Sequence, residues 1–218
     1  MRFGLRNCGM IAVLSVGFLV PAMQQAQADA IPYPTPGVIN PAHYVFTATT
    51  SGDVVAYFAG SGASFENQLG LLVNGVPTGG FGLDNHSSTV GDSFNFGHAN
   101  AGDILTFVLK NLTLGNTAYS DPTLNGSYDS ATYTGSHQHV YSTVYTATSP
   151  ILDSIPAGIY VGFEDLPFPG SDFNYRDETF VFGNVSRAVG VPEPAALALL
   201  GTGLVGLLGL RRRSGTSR

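Results

Sequence analysis

The chain has one cysteine, Cys8, and no tryptophan in 218 residues. Cys8 sits near the N-terminus, so everything from Asp29 onward is free of thiols. That stretch cannot form a disulfide, hold a thiolate-ligated metal or run thiol chemistry. Basic residues are almost as scarce. Between Asp29 and Gly190 there are only Lys110, Arg176 and Arg187 against fourteen acids, a net charge of −11. Such a surface repels nucleic acid and anionic lipid, which excludes nucleic-acid binding as a function class. It attracts cations, and it also serves plain solubility. Helical patterning is missing as well: no window of 12 in this stretch repeats apolar residues at i, i+3, i+4 and i+7. No G-x-S-x-G nucleophile elbow occurs, and the GSG at Gly60–Gly62 lacks the strand–turn–helix setting of a phosphate loop.

What the body does have is a series of short runs rich in β-branched and aromatic residues. HYVFTAT begins at His43, DVVAYFAG at Asp53, QLGLLVN at Gln68, DILTFVLK at Asp103, HVYSTVYTA at His139, GIYVGFED at Gly158 and ETFVFGNV at Glu178. Each has strand length and is bounded by Gly, Asn, Asp, Ser or Pro. Asn74-Gly75 is a two-residue hairpin signal, because both residues tolerate positive φ. In GIYVGFED the residues Ile159, Val161 and Phe163 alternate with a mixed set, as a half-buried strand requires. The pattern predicts an all-β fold, an antiparallel β-sandwich or jelly roll. Two polar stretches, Asp84–Ala101 and Thr117–Gln138, read as long loops of the kind that are functional or idle.

The two long apolar runs lie at the ends. Arg2 and Arg6 precede Met10–Val20, and small residues follow at Ala26–Ala28. Basic start, short apolar run and small-residue site, in that order, predict a secretory signal peptide over 1–28, cut after Ala28 or Ala30. Ala195–Leu210 is sixteen residues without a charge. A bilayer span takes about 20, and Arg211, Arg212 and Arg213 can reach the headgroups to cover part of the shortfall. The arginines hold 211–218 in the cytoplasm and leave the body outside. Pro192-Glu193-Pro194 stops a helix from running back into the body.

This order of parts, VPEP, a glycine-containing apolar segment and RRR over Val191–Arg218, resembles the PEP-CTERM sorting signal of bacterial exported proteins. The resemblance implies recognition by an exosortase-type enzyme at the inner membrane and loss of the tail. It further implies release or attachment at the surface of a bacterium that makes exopolysaccharide. The expected organisation is a signal peptide at 1–28, an extended and unpacked proline-rich lead-in at 29–42, a β-domain at 43–190 and a sorting tail at 191–218. The tail contains one transmembrane helix, 195–210.

The densest set of potential ligands lies in GIYVGFEDLPFPGSDFNYRDETFVF, Gly158–Phe182. Glu164 and Asp165 end a strand; Asp172, Asn174 and Asp177 follow a Pro- and Gly-containing loop. Oxygen donors at this spacing can build a hard-cation cage of the kind Ca²⁺ takes. The same residue types also cap turns through their own backbone, so both readings stand. The spacing is not that of an EF-hand. The stretch resembles the closing motif of a β-domain family of unknown function in bacterial surface proteins. That motif is FEDL, a glycine-containing loop, D-x-[DN]-Y-x-D and an apolar strand. Phe163, Glu164, Asp165 and Leu166 match it, as do Asp172, Asn174, Tyr175 and Asp177. Arg176 stands where a small polar residue is usual, and its charge opposes a metal there.

His137 and His139 would face the same side of a strand, a geometry that can hold a transition metal. No acid follows them in VYSTVYT, however, and His43, His86 and His98 are scattered. Glu164 and Asp165 are adjacent, so on a strand they would face opposite sides and make a poor acid–base pair. The function that follows is an exported, non-enzymatic surface or matrix protein, structural or adhesive, in contact with exopolysaccharide. The alternative is a secreted enzyme acting on polysaccharide with acids from the two long polar stretches.

Overall fold

The structure is a computed structural model, and it describes residues 31–190. The signal peptide expected at 1–28, the transmembrane helix expected at 195–210 and the tail residues Pro192, Glu193, Pro194, Arg211, Arg212 and Arg213 lie outside the described residues. Among the described residues no helix is long and apolar enough to cross a membrane.

The apolar runs become strands close to where the sequence puts them. They are β1 His43–Ala48, β2 Gly52–Gly60, β3 Asn67–Val73, β4 Val76–Gly82, β5 Ser93–Ala99, β6 Ile104–Asn111, β7 Asn116–Tyr119, β8 Val140–Tyr145, β9 Gly158–Phe163, β10 Glu178–Gly183 and β11 Val185–Gly190. A single 3-10 turn covers Pro122–Ser127, opened by the Asp121 side chain accepting the Thr123 N–H. One sheet runs β11-β1-β6-β3-β4, with β7 also on β6; the other runs β5-β2-β10-β9-β8. Every pairing is antiparallel.

The sheets face each other over a common core in which aromatic rings carry much of the volume. Phe107 of the first sheet stacks on Phe182 of the second with ring centres 3.8 Å apart. Phe46 meets Phe107 at 4.8 Å. Offset and edge-on ring pairs add about 0.5–1.5 kcal/mol each beyond the area they bury. A chain without a disulfide thus closes its two sheets by ring packing.

Several expectations need correction. The outward face of β9 is buried too, because the segment after β8 folds over it and packs Leu152 and Ile155 against Tyr160 and Val181. The stretches read as long polar loops contain β5 and β7. In β5, Phe94 and Phe96 alternate with polar residues, and their rings pack 4.8 Å apart. The last run, ETFVFGNV, is two strands. Asn184 adopts φ 59°, and this one residue carries the chain from β10 in one sheet to β11 in the other. Its side chain bonds to Thr50 in the β1–β2 connection, which makes the same crossing. The lead-in is not unpacked: Tyr33 is buried against Tyr141 and Tyr175, and Asn40 is buried on the hydroxyls of Tyr44 and Tyr175. Aromatic and amide side chains held it where proline content suggested a free segment. The Asn74-Gly75 hairpin forms as expected, with φ of 49° and 78°.

Candidate functional site

At one end of the sandwich the inward-facing positions change from apolar to polar. On β3 the alternation Leu71, Leu69 ends in Asn67; on β6 Phe107, Leu109 ends in Asn111; on β10 Phe182, Phe180 begins with Glu178. Asn67, Asn111 and Glu178 are all 0 % exposed. Asn67 and Asn111 are direct cross-strand partners, and Glu178 is opposite Phe163, the last residue of β9.

The chain leaving β9 fills this end with acids. Asp165 is the hub. Its Oδ2 accepts from Asn67 Nδ2 at 2.8 Å, and its carbonyl accepts from Tyr128 Oη at 2.6 Å and Asn111 Nδ2 at 3.1 Å. Its own N–H donates to Asp177 Oδ2 at 3.0 Å. Glu164 points the other way, into the loop 171–175, where Ser171 Oγ and the Tyr175 N–H donate to its carboxylate. That loop crosses directly over β9. A methyl group at Gly162 would lie 2.1 Å from the Tyr175 carbonyl oxygen, so only glycine lets the strand and loop approach.

Crowding sets the protonation of this layer. Burial, then the charges of Glu164 and Asp165, pushes Asp177 up to about 8. Burial raises Glu164 to about 6 against the pull of Ser171 and the Tyr175 N–H. Asp165 is raised by burial against the pull of Asn67. Glu178 is driven well above the carboxylate range by burial, and further by Asp165, Asp84 and Asp177. Ionisation of all four is disfavoured, and among the described residues no Lys or Arg pairs with them to offset it.

The five residues singled out in the sequence are therefore split. Asp165 and Asp177 meet, and Glu164 lies beside them but is occupied by the loop. Asp172 and Asn174 close on each other, Nδ2 to Oδ2 at 2.7 Å, in an exposed Asx turn. Arg176 turns outward and lies over Gly62. Among the described residues no three His, Cys, Asp or Glu side chains stand at ligand distance around one point.

Beside the acid layer lies a second cluster. His137 Nδ1 and His139 Nε2 both meet the carboxylate of Asp129, at 2.5 and 2.9 Å. The Phe168 N–H donates to the same group at 2.6 Å, and the His139 ring stacks on Phe168 at 3.9 Å. The other nitrogen of His139 faces the Glu164 carbonyl at 3.2 Å, which joins the clusters. Burial pushes Asp129 up, but the bonds from His139, the Phe168 N–H and His137 outweigh it and hold the carboxyl below its ordinary value. The two histidines do share a side, as their spacing suggests. Their common partner is a carboxylate from a loop that no local pattern flags.

Asn67, Asn111, Tyr128, Asp129 and Glu178 are the residues that sequence reasoning missed. For two of them a cue existed: N-x-L-x-L from Asn67 and E-x-F-x-F from Glu178 each place a polar residue in phase with core positions.

β11 ends at Gly190, and the comparison with protein families finds its match from that residue onward. The PEP-CTERM protein-sorting motif covers residues 190–213. No curated protein and no solved structure matches the chain. From the last residue of β11 onward the chain thus carries a PEP-CTERM protein-sorting motif, the mark of an exported protein whose membrane-anchored precursor is processed by exosortase.

Proposed function

We propose that the body is a non-enzymatic structural or adhesive module at the cell surface or in the extracellular matrix, in contact with exopolysaccharide. The observation that carries this is where the acids are. Glu164, Asp165, Glu178 and Asp129 are buried, and the accessible acids of the two polar stretches, Asp84, Asp92 and Asp121, accept the N–H groups of His86, Thr89 and Thr123 in their own turns. Acid–base catalysis on a polymer needs two carboxyl groups that the polymer can reach. A better surface for a sugar chain lies along β8, the edge strand of the second sheet. There a shallow groove of about 440 Å³ is lined by Tyr141, Thr143, Tyr145, Thr146, Thr148 and Ser149. The part-exposed Tyr141 ring and the Thr and Ser hydroxyl groups suit stacking on sugars and hydrogen bonding to them, while Tyr145 is buried and bonded to the Leu152 carbonyl.

The test is co-sedimentation of the exported protein with exopolysaccharide from the producing bacterium, together with an assay for newly formed reducing ends. Binding without new ends, weakened by Tyr141→Ala, is expected. Release of reducing ends by the purified protein would favour the enzyme instead. For the tail, Pro192→Ala with Pro194→Ala is expected to leave the precursor in the membrane fraction.

A further inference from the structure

The acid layer gathers buried carboxyl groups with no positive charge beside them to stabilise their ionised form. Among the described residues no Lys or Arg forms an ion pair with any acid. The body's cations lie elsewhere: Lys110 over Phe81, Arg187 over Tyr44 and Arg176 against Gly62. Buried carboxylates normally have a counter-charge or a metal.

Three oxygens in this layer have no hydrogen-bond donor at all: both Oε atoms of Glu178 and Oδ1 of Asn67. Both residues are completely buried. The orientation of Asn67 is forced, because its Nδ2 faces two acceptors, the Phe65 carbonyl at 3.2 Å and Asp165 Oδ2 at 2.8 Å. Turning the amide over would set oxygen against oxygen. The two residues project inward from opposite sheets, Asn67 in phase with Leu69 and Leu71, Glu178 in phase with Phe180 and Phe182. Asn67 is bonded to Asp165, and Glu178 stands opposite the inward-facing Phe163, two positions before Asp165. A buried oxygen without a donor calls for a water or a cation. Water would answer the orphan oxygens and leave the acids protonated; a cation answers the oxygens and lets the acids ionise as its ligands.

We propose that Glu178, Asn67, Asp165 and Asp177 bind one hard divalent cation of the calcium type between the two sheets. Every donor is a carboxylate or amide oxygen, the set that Ca²⁺ accepts in flexible numbers, whereas Mg²⁺ requires a strict octahedron and keeps its waters. The acids do not surround one point in the unbound chain, so binding has to draw the unbonded Glu178 carboxylate toward Asp165 and Asp177, which already lie side by side. The ion then ties β3 of one sheet to β10 of the other, the task a disulfide would do in a chain with cysteines. Asp172 and Asn174 have no part in the set.

The test uses the full-length chain in detergent, stripped with chelator, and terbium in place of calcium. The chain has no tryptophan, and Tyr128, whose hydroxyl lies 2.6 Å from the Asp165 carbonyl, is the sensitiser of terbium emission. Saturable emission displaced by calcium is expected, with one calcium per chain by elemental analysis after reloading. Glu178→Gln is expected to weaken binding at least about ten-fold, since affinity follows the ligand charge, while Asp172→Asn stays within about two-fold. A wild-type chain with no saturable emission and no bound calcium overturns the proposal. So does wild-type affinity in Glu178→Gln, or binding lost in Asp172→Asn and kept in Glu178→Gln, which would move the ion to the exposed turn. Wild-type metal content decides without any variant, so a misfolded Glu178→Gln would not shield the proposal.

Discussion

Asp129 and Asp177 are the same residue type at the same end of the sandwich, and their carboxyl groups move in opposite directions. Burial pushes both up. Around Asp129 two histidines and an N–H reverse that push. Around Asp177 the nearest charges are more carboxylates, and the group rises from its ordinary 3.8 to about 8. Desolvation has the same sign for every buried acid, so the partner decides the outcome. The two clusters share a wall, since His139 faces the Glu164 carbonyl and Tyr128, next to Asp129, holds the Asp165 carbonyl. One cluster is complete within the chain and the other is short of positive charge.

The largest effect should come from Gly162→Ala. It drives a methyl group into the Tyr175 carbonyl and lifts the loop that positions Glu164 and Asp177. A loss of about 3 kcal/mol or more is expected in denaturant unfolding, because both strand and loop are backbone at the clash. Asp129→Asn attacks the complete cluster. It removes the charge that two histidines share and should cost about 2 kcal/mol, or roughly 4–8 °C in Tm. Glu178→Gln tests the incomplete cluster and should have the opposite sign. In chelator it removes a buried, unpartnered acid and is expected to stabilise by about 1 kcal/mol, read as a small rise in Tm. With calcium present the wild type should regain the lead.

The clusters should also divide the pH axis. Asp177 binds its proton more tightly folded than unfolded, so its contribution is fully present below pH 3.8 and is lost as pH rises towards about 8. Asp129 is held below its ordinary value, so its contribution is present above 3.8 and lost as pH falls past the folded value. Chelated protein unfolded in denaturant across this range should therefore weaken at both ends, with the alkaline loss removed by calcium. The smallest effect belongs to Asp172→Asn. Its carboxyl group is exposed and serves a local turn, and a change within about 0.5 kcal/mol is expected.

Much of the fold was legible because strands announce themselves locally. β1, β2, β3, β6, β8, β9 and β10 begin within a residue or so of the runs that predicted them. The elements that went unread lacked local contrast. β5 hides two phenylalanines in a polar stretch, β7 is four residues long, and β11 follows a one-residue turn inside what reads as a single run. The site was half legible. Acid density drew attention to Glu164, Asp165 and Asp177, but the same density drew in Asp172 and Asn174, which bond to each other at the surface. Asn67 could not be joined to Asp165 from the sequence, because 98 residues separate them.

By itself the sequence determined the strand periodicity, the acidic balance, the lack of thiols from Asp29 onward and the order of parts in the sorting tail. All of these are properties of neighbouring residues or of simple counts. Only the tertiary structure decided which acids are buried together, which one receives the histidines and which oxygens are left without a donor. Those outcomes depend on register and on the crossing between sheets. A shift of one residue in β3 or β10 would turn Asn67 or Glu178 from the interior to the opposite face without altering the composition.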